Sequence, residues 1–319
     1  MPLRSLARQV LCAAALACAF AAHAGFPQKP VRLIVPFAAG ATSDVVARFV
    51  AIQLKDRLGQ PVVVDNRPGA TGIIAAQALL ASPADGHTLM LQSTSIAIAP
   101  SLNKLSFDIH RDLAPIARIA ATPYVFVVGA GSPFKSMDEL IAGARQHPGK
   151  ISCGTYGVGS PPHMALEMLN RAAAVRLVHV PYRTPTLTEL ASGVLDCAIE
   201  TPSNALIHER GKTGRALGVT WSTPLPALPG AQPIAARYPN TAVQGWIGIF
   251  APARTPQPAI AVMHKALNEI TASAEFTRLI DTMGLSPVQD DSPEKFSRAL
   301  RQEEERFSAI IKEQKMSHD

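Results

Sequence analysis

The alternation of short apolar stretches with helical ones, joined by loops of Gly, Ala, Ser and Thr, constrains this chain most. Residues 31–37 (Val-Arg-Leu-Ile-Val-Pro-Phe) read as a buried strand. A small-residue loop follows, then a helix whose Val46, Phe49, Val50, Leu54 and Leu58 share one face. The unit recurs: strand 62–65, helix 73–81, strand 88–92, and later helix 137–145, a strand at Ile151, and a helix opening at Pro161-Pro162 with Ser160 as its cap. Strands are also expected at 116–120, 124–128, 175–180, 195–199, 216–220 and 246–251, with an irregular Pro-rich stretch at 223–240. Helices 256–272, 274–283 and 293–315 close the chain. Strands alternating with helices at this spacing mean βαβ units and a largely parallel sheet, the α/β class. At 319 residues there is chain enough for two domains, and no linker separates them, so the crossing between them is expected to run on strands.

The first 24 residues stand apart. Arg4 and Arg8 precede an apolar run over 10–22, and Ala22-His23-Ala24 has the small-x-small form of a signal-peptidase site. Export with cleavage after Ala24 is the expectation; a lipoprotein cut before Cys18 lacks the usual leucine upstream. Cys12 and Cys18 leave with that segment. An oxidising compartment then permits a disulfide between Cys153 and Cys197, although the reading preferred from sequence is two buried thiols. No Cys or His cluster has zinc spacing, so no metal is expected, and no cofactor. Net charge falls from +6 to about +4 without Arg4 and Arg8, with no Lys/Arg block. This speaks against nucleic acid and is compatible with small anions.

Two loops carry the chemistry. Phe37, Ala38, Ala39, Gly40, Ala41, Thr42 and Ser43 form one, with Thr42 or Ser43 as the expected helix cap and Asp44 in the first turn. The other spans Gly154, Thr155, Tyr156, Gly157, Val158, Gly159 and Ser160. Each joins a strand to a helix N-terminus, where backbone N–H groups and roughly half a positive charge receive an anion without Arg or Lys. In open α/β sheets the ligand crevice lies at these carboxyl ends of strands. Ser93 and Thr94 follow the third strand, as ligand donors or helix caps. Tyr182 lines the crevice or packs. Glu200, at an apolar strand end, is placed to accept from a ligand amine or hydroxyl. Trp246 is expected at a crossover.

Enzyme signatures are missing where they belong. Gly157-Val-Gly-Ser160-Pro is not a G-x-S-x-G elbow, and the glycines at 154, 157 and 159 form neither a dinucleotide fingerprint nor a phosphate-binding P-loop. His163 near Ser160 reads better as a helix-start histidine than as a catalytic base. Asp44 reads better as a first-turn acid, or as one that orients a ligand group, than as a general base.

At these residues the chain resembles the periplasmic solute receptors of the tripartite tricarboxylate transporters, the Bug family. The marks are Phe26-Pro-Gln-Lys-Pro-Val-Arg-Leu-Ile-Val-Pro-Phe37, Asp44-Val-Val-Ala-Arg48, Val62-Val-Val-Asp-Asn-Arg-Pro-Gly69, Ala84-Asp-Gly-His-Thr-Leu89, Tyr156-Gly-Val-Gly-Ser-Pro-Pro-His163 and His179-Val-Pro-Tyr-Arg183. The resemblance implies a two-lobed type II periplasmic binding fold with two crossover strands and hinge closure. It implies that ligand carboxylates are held by the loops at 36–44 and 155–160 through backbone amides and ordered water. It implies a small organic anion as ligand (a dicarboxylate, an acidic amino acid, a citrate-like or an aromatic acid) and large and small membrane subunits as partners; a monomer is expected. Four positions depart from the family pattern. Ala41 replaces a usual glycine, Thr184-Pro185 a usual Gly-Ala, Tyr156 a frequent Ser, and Glu200 a common Asp. On this reading lobe one comprises 25–124 plus 246–319 and lobe two 125–245. A receptor for a membrane sensor kinase would use the same pocket, and an exported hydrolase would need an aligned nucleophile and base.

Overall fold

The computed structural model describes residues 26–182, 184–314 and 316; the expected leader lies outside them. The chain runs β1 (Val31–Val35), α1 (Thr42–Leu58), β2 (Val62–Asn66), α2 (Ile73–Leu80), β3 (Thr88–Ser93), α3 (Ser95–Leu102) and β4 (Leu113–Thr122). It continues with β5 (Val125–Gly129), α4 (Met137–Gln146), β6 (Ser152–Thr155), α5 (Pro161–Ala173), β7 (Val178–Pro181), α6 (Leu187–Ala191), β8 (Cys197–Glu200), α7 (Pro202–Gly211), β9 (Gly214–Val219) and β10 (Gln232–Pro233). It ends with β11 (Gly245–Pro252), α8 (Gln257–Thr271), α9 (Ala274–Asp281), β12 (Ser286–Pro287) and α10 (Pro293–Gln314).

Two six-stranded sheets result, ordered β12-β4-β11-β3-β1-β2 and β10-β9-β5-β8-β6-β7. This is a two-lobed α/β fold. The chain leaves the first sheet after Thr122, enters the second at Val125 and returns at Gly245. In each sheet three strands run parallel, β2-β1-β3 and β7-β6-β8, and the strands that cross between the sheets pair antiparallel to them. Parallel strands covered on both faces must be apolar throughout, and Leu33, Ile34 and Val35 of β1 are all fully buried.

Thr220 stitches the two crossings. Its hydroxyl accepts from Tyr124 N at 2.9 Å and donates to Val243 O at 2.7 Å, and its amide donates to Tyr124 O. From α10, Glu303 accepts from Trp246 Nε1 at 2.5 Å, while Arg306 donates to Asn240 O and Ala242 O. Trp246 does sit where the chain re-enters the first sheet.

Two sequence expectations change. Cys153 and Cys197 are disulfide-bonded, not two thiols. The register of the adjacent strands β6 and β8 sets them directly opposite, with Cα atoms 4.5 Å apart, inside the range a bridge spans. The strand expected from Val175 begins only at Val178, because Val175 N still donates to Asn170 O in the turn that ends α5. The elements α6, α7, β10 and β12 went unread: three are too short to show a period, and α7 has its apolar residues in one run, Ala205-Leu206-Ile207, with no helical spacing.

Candidate functional site

The segments that follow the carboxyl ends of β1 and β3 in one sheet lie against those that follow β6 and β8 in the other. Thr42 Oγ1 lies 3.2 Å from Ser203 Oγ. Gly159, with φ +74°, meets Leu102 of α3 so closely that an added Cβ would lie 2.7 Å from Leu102 Cδ1. Four helices, α1, α3, α5 and α7, begin at these strand ends, so positive dipole ends converge on one place.

Their caps differ. Ser160 Oγ caps α5 by accepting from His163 N, and Thr201 Oγ1 caps α7 by accepting from Asn204 N. The N-cap of α1 is Ala41, not Thr42 or Ser43, and no side chain caps that helix. Thr94, at the N-cap of α3, makes no side-chain cap either; its hydroxyl accepts from Trp246 N at 2.9 Å. Asp44 N and Val45 N donate to Ala41 O, and with alanine among the poorest caps the Thr42 and Ser43 amides are left to a partner from outside the helix.

Asp44 shapes the first loop. Its buried carboxylate accepts from Gly40 N at 2.8 Å, Arg48 Nε at 2.9 Å and Asn66 Nδ2 at 2.7 Å. Burial pushes its pKa up, but the bonds from Arg48, Asn66 and Gly40 together outweigh this and hold it below the usual carboxylate range. Gly40 takes φ +83°, which the bond to Asp44 fixes. Asn66 also donates to Phe37 O. Phe37 is half-buried, and Ala38, Ala39 and Gly40 are exposed.

The second loop is held from below. Thr155 Oγ1 lies 2.7 Å from His179 Nε2, and the His179 ring stacks on His163 with centroids 3.7 Å apart. Burial lowers the His179 pKa to about 4, so this ring is neutral. His163 Nδ1 accepts from Gly159 N, and Ser160 Oγ donates to Gly157 O. Ser160 and His163 are thus joined through the His163 amide, and the ring is turned to Gly159 instead of the hydroxyl.

Tyr156 and Glu200 are bonded to each other beneath the second loop. The Tyr156 hydroxyl donates to Glu200 Oε2 and accepts from Thr201 N and Asn204 Nδ2. Asn204 Nδ2 also reaches Glu200 Oε2, and Thr186 gives both its amide and its hydroxyl to Glu200 Oε1, at 2.8 and 2.6 Å. Burial, reinforced by the Glu200 charge, drives the Tyr156 pKa well above its ordinary value. Sequence offers Glu200 to a ligand; in the structure its oxygens are already taken. Ser93 bonds Ser95 within the chain, and Tyr182 packs on the second sheet, its amide donating to Thr155 O.

Asn66, Thr186, Ser203 and Asn204 escaped the sequence reading. Asn66 lies inside the quoted Val-Val-Val-Asp-Asn motif, whereas Asn204 is separated from Glu200 by the end of β8 and carried no spacing signal. Thr186 and Ser203 carried none.

The sequence profile described as "Tripartite tricarboxylate transporter family receptor" (TctC) matches residues 46–316. The chain belongs to this family. It is 31% identical over 296 residues to BugT of Bordetella pertussis, covering 90% of each chain. Among solved structures it is similar to R. palustris Rpa4515 with adipate, at 29% identity and TM-score 0.83, covering 90% of this chain and 97% of that one. It is similar also to the periplasmic binding protein BugD, at 27% identity and TM-score 0.81, covering 90% and 98%. The family is one of periplasmic binding proteins and not of enzymes, and the fold read from sequence agrees with it.

Proposed function

We propose that this receptor captures a small carboxylate between its two lobes and delivers it to the large and small membrane subunits of a tripartite transporter, without chemical change. The observation that carries this reading is the α1 N-terminus, which meets the cleft without a side-chain cap while Asp44 shapes the loop around it. An anion there receives the Thr42 and Ser43 amides and the helix dipole. The adipate-bound relative supports a carboxylate as the anion. In this reading Phe37, Ala38, Ala39, Gly40, Thr42 and Ser43 face the ligand from lobe one. Thr155, Tyr156, Gly159, Ser160 and Tyr182 shape the opposing wall, with Asp44, Ser93, Thr94, His163 and Glu200 behind.

The lobes are 25–124 plus 246–319 and 125–245, hinged at the segments that Thr220 stitches. The protein is exported by residues 1–24, cut after Ala24, and acts as a monomer. Ligand contacts to both lobes favour the closed form, because only that form makes them all.

The test is a thermal-shift panel on protein unfolded and refolded to strip carried-over ligand, followed by calorimetry. A ligand at 100 times its dissociation constant adds about 2.7 kcal/mol of stability. A clear upward shift with one carboxylate is expected; no shift with any di- or tricarboxylate overturns the reading.

A further inference from the structure

The Glu200 carboxylate is 1% exposed, at the end of β8 and covered by Tyr156. Its oxygens take four donors from three segments: the amide and hydroxyl of Thr186, the hydroxyl of Tyr156 and the amide of Asn204. These segments follow β7, β6 and β8 in turn. One carboxylate thus ties together the three loops that build the lobe-two wall, and it is spent in doing so.

The other acid at the cleft is spent as well. Asp44 holds Gly40 N, Arg48 and Asn66. Asp65, at the end of β2, pairs with Arg67 and Arg32. The other groups at these strand ends are helix N-termini, which donate, and hydroxyls, which carry no negative charge to offset an ammonium. An ammonium entering this space gives up its water, meets positive dipole ends and finds each of these carboxylates already engaged. Leaving a charge buried and unpaired is among the costliest arrangements a binding site can hold.

We propose that Glu200, as a positioning residue braced by Tyr156, Thr186 and Asn204, makes this receptor select plain dicarboxylates over their α-amino counterparts. The proposal rests on the carboxylate-receptor reading above and sharpens it. Tyr156 covers Glu200 and Asn204 saturates it, so removing either side chain opens a negative oxygen to the ligand.

The experiment is calorimetry on refolded mature protein with three matched pairs: succinate and aspartate, glutarate and glutamate, adipate and 2-aminoadipate. Wild type is expected to bind at least one plain acid ten times or more tightly than its amino partner. In Asn204→Ala and Tyr156→Ala the same ratio is expected to narrow at least fivefold, with folding checked by circular dichroism. A purely structural role would weaken both members of a pair equally. Equal affinity for the two members in wild type overturns the proposal. So does a ratio that stays constant in both variants while the affinities fall together. Binding of none of the six acids by wild type overturns the proposal, while the receptor reading falls only if the wider thermal-shift panel of di- and tricarboxylates is also negative.

Discussion

Thr42 at the start of α1 and Ser203 in the first turn of α7 place their hydroxyls 3.2 Å apart, one from each lobe. Two helix N-termini are thereby brought nose to nose, an arrangement their dipoles oppose unless an anion lies between them. The contact joins the two lobes directly. A Thr42→Val, Ser203→Ala double-mutant cycle on ligand affinity is expected to show a coupling of roughly 0.5–1.5 kcal/mol. Additive effects would mean that this bond does not help to hold the lobes shut.

Asp44→Ala removes the acceptor shared by Gly40, Arg48 and Asn66. The loop then loses the bond that fixes Gly40 at φ +83° and the tie between Gly40 and Asn66. Calorimetry is expected to find carboxylate affinity lower by tenfold or more, about 1.4 kcal/mol at least. Affinity within twofold of wild type would remove Asp44 from the site.

Burial raises the Glu303 pKa from 4.5 to about 7, opposed by the bond from Trp246 and the charges of Arg118 and Arg306. The folded state therefore keeps a proton that the unfolded chain releases near its ordinary value, and protonation favours folding. This stabilisation is full below about pH 4.5 and is lost as pH rises through 7, on the order of 3 kcal/mol in all. Urea unfolding of wild type is expected to show stability falling from pH 6.5 to 8, and Glu303→Gln to flatten that fall. An unchanged slope in the variant would assign it elsewhere.

His179 works in the opposite direction. Its folded pKa, lowered by burial from 6.5 to about 4, gives stability that is present above pH 6.5 and lost as pH falls through 4. Between about pH 4.5 and 6.5 the two slopes oppose each other. The Glu303→Gln variant should therefore uncover an acid-side loss that wild type masks, and His179→Gln should abolish it. A wild-type profile that falls steeply in this interval would contradict the pairing.

Replacing both Cys153 and Cys197 by alanine unties β6 from β8, the strands that lead into the two halves of the lobe-two wall. A bridge across 44 residues of separation is worth roughly 2–4 kcal/mol. Calorimetric unfolding is expected to show a melting temperature several degrees lower, and reductant on wild type to reproduce it. No difference between the oxidised and reduced proteins would count against the bridge.

The architecture was legible because its signals are local and repeated. The run of Val, Leu and Ile in β1 and the proline pair after Ser160 each declare an element within a few residues. The site was legible as two loops, since small residues between a strand and a helix have few other uses. What stayed hidden depends on partners distant in sequence. Nothing near Ala41 tells that Asp44 will turn back to Gly40 and leave α1 uncapped by Thr42 or Ser43. Nothing at Glu200 tells that Thr186, Tyr156 and Asn204 will exhaust it. The Cys153–Cys197 bridge likewise follows from register, which fixes neighbours across strands and leaves no mark along either one.

The position of β11 has a consequence in time. It lies between β3 and β4, at the middle of the first sheet, yet it follows the whole of the second sheet in the chain. A polypeptide emerging from its N-terminus holds β3 and β4 without their common neighbour until residue 252 has been made. The lobe that begins first along the chain is therefore completed last, and its sheet cannot close before the whole of the other lobe has been made.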